Sequence, residues 1–324
     1  MKLIRLSNVN FVMTFLVVGI HTIPRVYPNQ TDMTNTLFVY RYVNNLTAIA
    51  VPTFFAISSY LFFYKFAIGD YFIKLKKRCR SLLIPYLIFS ILGLLLVLVK
   101  SLLKHSIMDE KNIADYLFSI ITSKYNAPLW YLVTLFEFVV IAPLVFWIIT
   151  FRKAFVNTVL LSLIFIIINL FFTISYTNII FWLPIIIPFS YMGIYKKKLF
   201  LCHQKTRWWK YMALFTILLV PIFLLLINAS DYDVSYYIWR ITSPFIILLF
   251  VAEFLDYDTC FTNQGAFFVY LSHSLILRLL EHFQPSMLYI AITKWIIVFC
   301  FCLVISRMLS KLSPFTYKVI SGGR

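Results

Sequence analysis

Asn8 to Thr22 reads NVNFVMTFLVVGIHT, an apolar run of helix length with the amide of Asn10 near its start and the imidazole of His21 near its end. Eleven residues separate the two, about 16 Å along a helix axis at roughly 1.5 Å per residue. If the run crosses a bilayer, a histidine inside it is costly unless it meets a partner or a wet cavity, so His21 is a functional candidate. The residue equally suits a quieter role, a boundary histidine hydrogen-bonded to a neighbouring helix. What the rest of the chain builds around it decides between them.

The chain around this run is apolar throughout. Of 324 residues, 62% are hydrophobic and 13% charged, and the mean hydropathy is +0.88. Soluble domains lie nearer about 45–50% apolar and about 25% charged, so the sequence reads as an all-α polytopic transmembrane helix bundle. Aromatic residues make up 19%, which suits interfacial belts and lipid-facing packing. No stretch is polar enough to fold separately, and residues 1–324 are expected to form one membrane domain. The net charge of +17 marks cytoplasmic loops here rather than a nucleic-acid surface, and no nucleic-acid partner is expected.

Runs of about 20 apolar residues suffice to span. Ten fit, near 8–25, 46–66, 82–100, 128–149, 155–174, 178–195, 211–228, 237–255, 266–283 and 288–309. Basic residues orient the set. With both termini cytoplasmic, the inner side collects Lys2, Arg5, Lys74, Lys76, Lys77, Arg78, Arg80, Arg152, Lys153, Lys196, Lys197, Lys198, Lys205, Arg207, Lys210, Lys311, Lys318 and Arg324. The outer side keeps Arg25, Arg41, Lys104, Lys111 and Lys124, with Lys100 at its edge. In the outer segment 101–127, MDEKNIADYLFSII has apolar positions at helical spacing and is expected to lie along the membrane surface. Lys2 and Arg5 ahead of the first run imitate a signal peptide, but Gly19-Ile-His-Thr offers no small-residue cleavage site, so a retained first span is expected.

The five cysteines (Cys79, Cys202, Cys260, Cys300, Cys302) lack zinc-site spacing with histidine. The first three fall at cytoplasmic loops, where thiols stay reduced, and neither a disulfide nor a metal site is expected. The sequons at Asn29 and Asn228 read as chance matches. No internal repeat, Walker loop, dinucleotide glycine fingerprint or G-x-S-x-G elbow occurs, and seven glycines leave little for a phosphate-cradling loop.

Ionisable groups inside spans are usually paired or functional. They are His21, Glu137, Arg240, Glu253, His273, Arg278, Glu281 and Lys294. Arg278 and Glu281 can pair at i, i+3 on one helix, whereas His273 and Arg240 lack an obvious local partner and are the better site candidates. The run KLKKRCRSLLIPY, Lys74 to Tyr86, places five basic residues just before a span. It serves either as a positive-inside anchor or as a cytosolic site for an anionic group, since arginine forks suit phosphate geometry.

Several stretches occur in order along the chain: VVGIHT in the first span, VPTFFAISSYLFFYKF (Val51 to Phe66), KKRCRSLLIPYL (Lys76 to Leu87), APLWYLVTLFEF (Ala127 to Phe138), GAFFVYLSHSLIL (Gly265 to Leu277) and the C-terminal PFTYKVISGGR. Together they resemble acyltransferase family 3, integral membrane proteins that include bacterial polysaccharide O-acetyltransferases. The sequence departs from that family at three places. Asn10 stands where the family carries Arg or Lys eleven residues before the histidine, Lys77-x-x-Arg80 replaces Arg-x-x-Arg, and Ser59 replaces glycine.

The resemblance implies transfer of an acyl group, most often acetyl, from cytosolic acyl-CoA to a hydroxyl of a cell-surface polysaccharide or lipid-linked sugar, at a bacterial inner membrane. The partners it implies are acyl-CoA, preferably acetyl-CoA, the sugar acceptor and the lipid bilayer. Lys76, Lys77, Arg78 and Arg80, with Asn10, are then the donor-binding residues. His21 is the general base, because histidine titrates near neutral pH. Arg240 and His273 stabilise the oxyanion or orient the acceptor. Two other readings stay open: a transporter or exporter without covalent chemistry, and a sensor or scaffold with a degenerate site.

Overall fold

The computed structural model describes residues 4–23, 35–103, 112–172, 174–197, 207–229, 233–255, 265–280 and 288–323. Their α-helices are α1 (Ile4–Thr22), α2 (Asn35–Thr47), α3 (Ala50–Tyr64), α4 (Tyr71–Arg78), α5 (Ile84–Leu103), α6 (Ile113–Ile121), α7 (Trp130–Thr150), α8 (Ala154–Phe171), α9 (Ile179–Tyr195), α10 (Arg207–Leu226), α11 (Val234–Leu249), α12 (Ala266–Leu279), α13 (Leu288–Leu312) and α14 (Pro314–Ile320). No strand occurs among the described residues. Arg25, Lys104, Lys111, Lys198, Lys205, Cys202, Cys260, Glu281 and the Asn29 sequon lie outside them.

Six helical stretches among the described residues are long and apolar enough to cross a membrane: Phe38–Tyr64, Ile68–Leu103, Ala127–Thr150, Ala154–Phe171, Trp208–Leu226 and Tyr289–Leu312. Shorter apolar helices, α9, α11 and α12, lie among them. Large apolar side chains face outward along α8, where Leu160, Ile164, Ile167 and Phe171 are exposed, as expected of a lipid-facing helix.

Two boundaries differ from the sequence expectation. The expected span 46–66 is α3 preceded by α2, with a break at 48–49. Pro52 explains the restart, because proline fits the first turn of a helix, where its missing N–H has no intrahelical role. The expected span 82–100 and its basic approach form one run, α4, a π-helical turn Cys79–Leu83 and α5. α4 lies along α7, with the Tyr71 hydroxyl donating to the Val140 carbonyl at 3.1 Å. In the outer segment, a capping box of Asn112 and Asp115 starts α6. Leu117, Phe118 and Ile121 stand exposed on that helix, as a surface-lying helix requires.

The core runs through α1, α3, α7, α9, α11 and α12. α3 and α9 approach closely at Gly193, where an added Cβ would stand 2.6 Å from the Tyr60 carbonyl oxygen. A second cluster joins α1, α12 and α13 around Trp295. Its indole N–H donates to the Phe15 carbonyl at 2.7 Å, its ring stacks on Phe15 at 4.6 Å, and Gly19 leaves room for it. These contacts fix α1 against α13, and so help set where His21 ends up.

Candidate functional site

α1 is unbroken from Ile4 to Thr22. Eleven residues at 3.6 per turn return to within about 20° of the starting direction, so Asn10 and His21 share a face of α1. Asn10 is half-buried, and its carbonyl accepts a bond from the Thr14 hydroxyl at 2.8 Å. His21 is exposed at the end of the helix, and its ring lies 5.2 Å from that of His273, tilted by 37°.

His273, on α12, is fully buried at 0% exposure. Its Nδ1 lies 3.1 Å from the Val269 carbonyl oxygen. A carbonyl only accepts, so Nδ1 carries the hydrogen and the neutral ring keeps its lone pair on Nε2. That Nε2 has no hydrogen-bond partner among the described residues. A buried, unpartnered basic nitrogen is costly in a structural role, and here it sits in ring contact with an accessible histidine.

The wall of the pair is aromatic. The Tyr270 ring lies 6.2 Å from that of His273 and 5.7 Å from that of Tyr131. The Tyr270 hydroxyl donates to the Pro128 carbonyl. The Tyr131 hydroxyl is 3.1 Å from Ser58 Oγ on α3, and Phe54 packs against Tyr131 and Tyr270 at 5.9 and 6.5 Å. Asn126 Nδ2 donates to the Leu271 carbonyl at 3.3 Å. The segment 126–131 is thereby pinned to α12, which brings the first turn of α7 to the depth of the histidine pair.

Arg78 approaches this wall from α4. Its guanidinium is desolvated by burial and lies within electrostatic reach of Tyr131. Lys74, one turn earlier, has a different task. Its ammonium donates to the Phe62 and Lys65 carbonyls at 3.3 and 2.5 Å and lies 4.9 Å from the Phe66 ring centre, so it closes the C-terminal end of α3. Lys76, Lys77 and Arg80 are exposed. The π-helical turn begins at the residue after Arg78, and such turns recur at functional sites.

Of the residues singled out in the sequence, then, the structure brings together His21, His273 and, through Tyr131 and Tyr270, Arg78. The guanidinium of Arg240 stacks on Tyr236 of its own helix at 4.6 Å, and no contact among the described residues ties it to the histidine pair. Three other charged side chains in or beside the spans have structural partners. Lys210 pairs with Glu253, Lys294 donates to the Leu280 carbonyl at 3.2 Å, and Lys100 donates to the Arg278 carbonyl. Arg5 is buried at the foot of α1, where Asn8 Nδ2 donates to the Leu255 carbonyl at 2.6 Å. Tyr131, Tyr270 and Ser58 escaped the reading by residue type, because a tyrosine or serine in an apolar helix carries no charge to flag it. The signal was nonetheless present in LWYL, YLSH and ISSY.

A family model described as an acyltransferase domain, that of acyltransferase family 3, matches residues 6–311. The chain belongs to this family, as its motifs suggest, and is a multi-pass membrane protein of an acyltransferase family. No curated protein and no solved structure matches the chain.

Proposed function

We propose that the chain, as a member of this acyltransferase family, moves an acyl group, acetyl in the first instance, from cytosolic acyl-CoA to a hydroxyl of a cell-surface polysaccharide or lipid-linked sugar. The observation that carries this reading is the His21–His273 ring contact, lined by Tyr270 and Tyr131, with Arg78 within electrostatic reach of Tyr131. A base, an enclosed wall and a cation for an anionic donor are what acyl transfer needs.

In the reaction, His21 takes the proton of the acceptor hydroxyl. The oxygen attacks the thioester carbonyl, the new C–O bond forms and the C–S bond breaks. The departing thiolate recovers the proton from His21, so ester and free thiol leave and the histidine is neutral again. His273, whose Nδ1 is tied to Val269, offers Nε2 to hold the acceptor or the His21 ring during the transfer. Phe54, Tyr131 and Tyr270 keep water from the thioester. Arg78 holds the donor's phosphates, the exposed Lys76, Lys77 and Arg80 attract it from the cytosol, and Asn10 lines the route of the arm about 16 Å from His21. Arg240 has no part in these steps. A topology of ten spans with both termini cytoplasmic, in a bacterial inner membrane and as one domain, suits this arrangement and is supported by the loop-by-loop basic bias.

The test is thioester consumption by the purified protein in proteoliposomes, with acetyl-CoA and glycan acceptors. The parent should release free thiol with acceptor acetylation, and His21→Ala should lose about 10²–10⁴-fold in rate at normal protein level. Full transfer by His21→Ala removes the base assignment. A parent that consumes no thioester but carries solute across the vesicle replaces the enzyme with a transporter.

A further inference from the structure

The C-terminal PFTYKVISGGR has no role in the steps above, yet it builds a cleft. At the elbow between α13 and α14 lies an open cleft of about 630 Å³ lined by Arg307, Ser310, Lys311, Tyr317 and Lys318, among others. Arg307 and Lys311 are one turn apart on α13 and so share its face, and Lys318 reaches in from α14. Among the described residues, three cations and no carboxylate line the space. Neither Lys311 nor Lys318 meets a carboxylate of the described residues.

The elbow is held in place by buried contacts. Tyr317 is buried at 6% exposure, its hydroxyl meets Ser306 Oγ at 2.9 Å, and its ring lies 6.1 Å from Phe268 of α12. Ser313 Oγ donates to Thr316 Oγ1 at 2.7 Å. Beyond α14, Gly322 adopts φ +67 and lies against the Ser81 carbonyl so closely that no Cβ would fit. Ser81 belongs to the π-helical turn that comes after Arg78 and contains Arg80. The tail that lines the cleft therefore abuts the basic segment implicated in donor binding.

We propose that this cleft is a phosphate-binding subsite that takes the nucleotide end of the thioester donor. Its volume lies within the range of small-molecule sites, about 300–1,000 Å³, and a lining of basic side chains without a carboxylate suits a group carrying several phosphate charges. The ribose phosphate would then lie in the cleft and the diphosphate past the π turn at Arg78, with the pantetheine arm running on to the histidines. The inference rests on the acyl-CoA reading. Phosphate esters also head the anionic lipids of a cytoplasmic leaflet, so the experiment separates the two sources.

Full-length parent and Lys311→Gln/Lys318→Gln protein are placed in discs of phosphatidylcholine alone, and binding of acetyl-CoA and of S-acetylpantetheine, which lacks every phosphate, is measured by calorimetry. The double variant should bind acetyl-CoA about tenfold more weakly than the parent, the effect of losing roughly 1.4 kcal/mol, and S-acetylpantetheine equally well. Equal acetyl-CoA affinity in parent and variant overturns the subsite and leaves the enzyme reading standing. A parent that binds no acetyl-CoA overturns both. A defect seen only in discs containing phosphatidylserine assigns the lysines to lipid headgroups and also overturns the subsite.

Discussion

Arg78→Gln and Arg80→Gln separate a cation turned into the protein from one left in solvent within a single helical turn. Arg78 is desolvated beside Tyr131, so a donor phosphate there would meet it in a low-dielectric surround. A charge-assisted hydrogen bond in such a setting contributes about 1.5–3 kcal/mol, which is roughly a 10- to 150-fold rise in KM at about 1.4 kcal/mol per decade. Arg80 is exposed, and its attraction is screened by salt. Its loss should raise KM by less than about fivefold, and the difference should fade near 1 M salt, where the screening length is about 3 Å. The assay is the initial rate of acetyl transfer against acetyl-CoA concentration in proteoliposomes at low and high salt. Thermal unfolding in detergent accompanies it, and Arg78→Gln should be neutral or stabilising because it removes a desolvated charge. Equal losses for the two variants at both salt concentrations would refute the inward placement of Arg78 as the source of donor affinity.

Asn10→Arg restores the cation that the family carries at this position, and the side chain can snorkel to the cytoplasmic boundary. Acetyl transfer should hold or rise, and a fall in rate at equal protein level would mean that the amide itself is needed. Gly193→Ala should lower the unfolding temperature in detergent, because its Cβ would stand 2.6 Å from the Tyr60 carbonyl oxygen and 3.1 Å from Phe63 Cβ. Overpacking of this kind costs about 1–3 kcal/mol, and an unchanged melting profile would mean that α3 and α9 are not packed so closely.

The helical membrane architecture was legible because hydropathy over 20-residue windows is an aggregate property, insensitive to any one side chain. Breaks within apolar runs were not. Pro52 sits inside VPTFFAIS, and hydropathy treats it as one more tolerated residue, whereas in the structure it marks the first turn of a new helix. The site was legible in proportion to how costly each side chain is in lipid. His21 and His273 stood out for that reason, and their rings meet. Arg240 stood out equally, but a cation can satisfy itself on its own helix, as this one does over Tyr236. Cost in lipid says that a residue needs a partner without saying which. The tyrosine wall was invisible to that criterion, since a phenol is at ease in either environment.

The basic run shows what a backbone conformation adds to a charge count. Read as a loop, Lys74, Lys76, Lys77, Arg78 and Arg80 are equivalent cations. Read as the helix they form, they fall on different faces. Lys74 and Arg78, four apart, share the face that meets the protein, and Leu82, fully buried, extends it. Lys76, Lys77 and Arg80 turn to solvent. Lys74 then satisfies the carbonyls at the end of α3, while Arg78 is desolvated within electrostatic reach of Tyr131. The π turn completes the arrangement. Its wider i→i+5 bonding accommodates about one extra residue, rotating α5 by roughly 100° relative to a continuous α-helix. α5 consequently packs through Pro85, Tyr86, Phe89, Ser90 and Gly93. The turn also presents the Ser81 carbonyl to Gly322. A regular helix through Cys79–Leu83 would keep the face of Arg78 but swing the packing stripe of α5 away from its neighbours, so the turn reconciles an inward arginine with a buried span on the same rod.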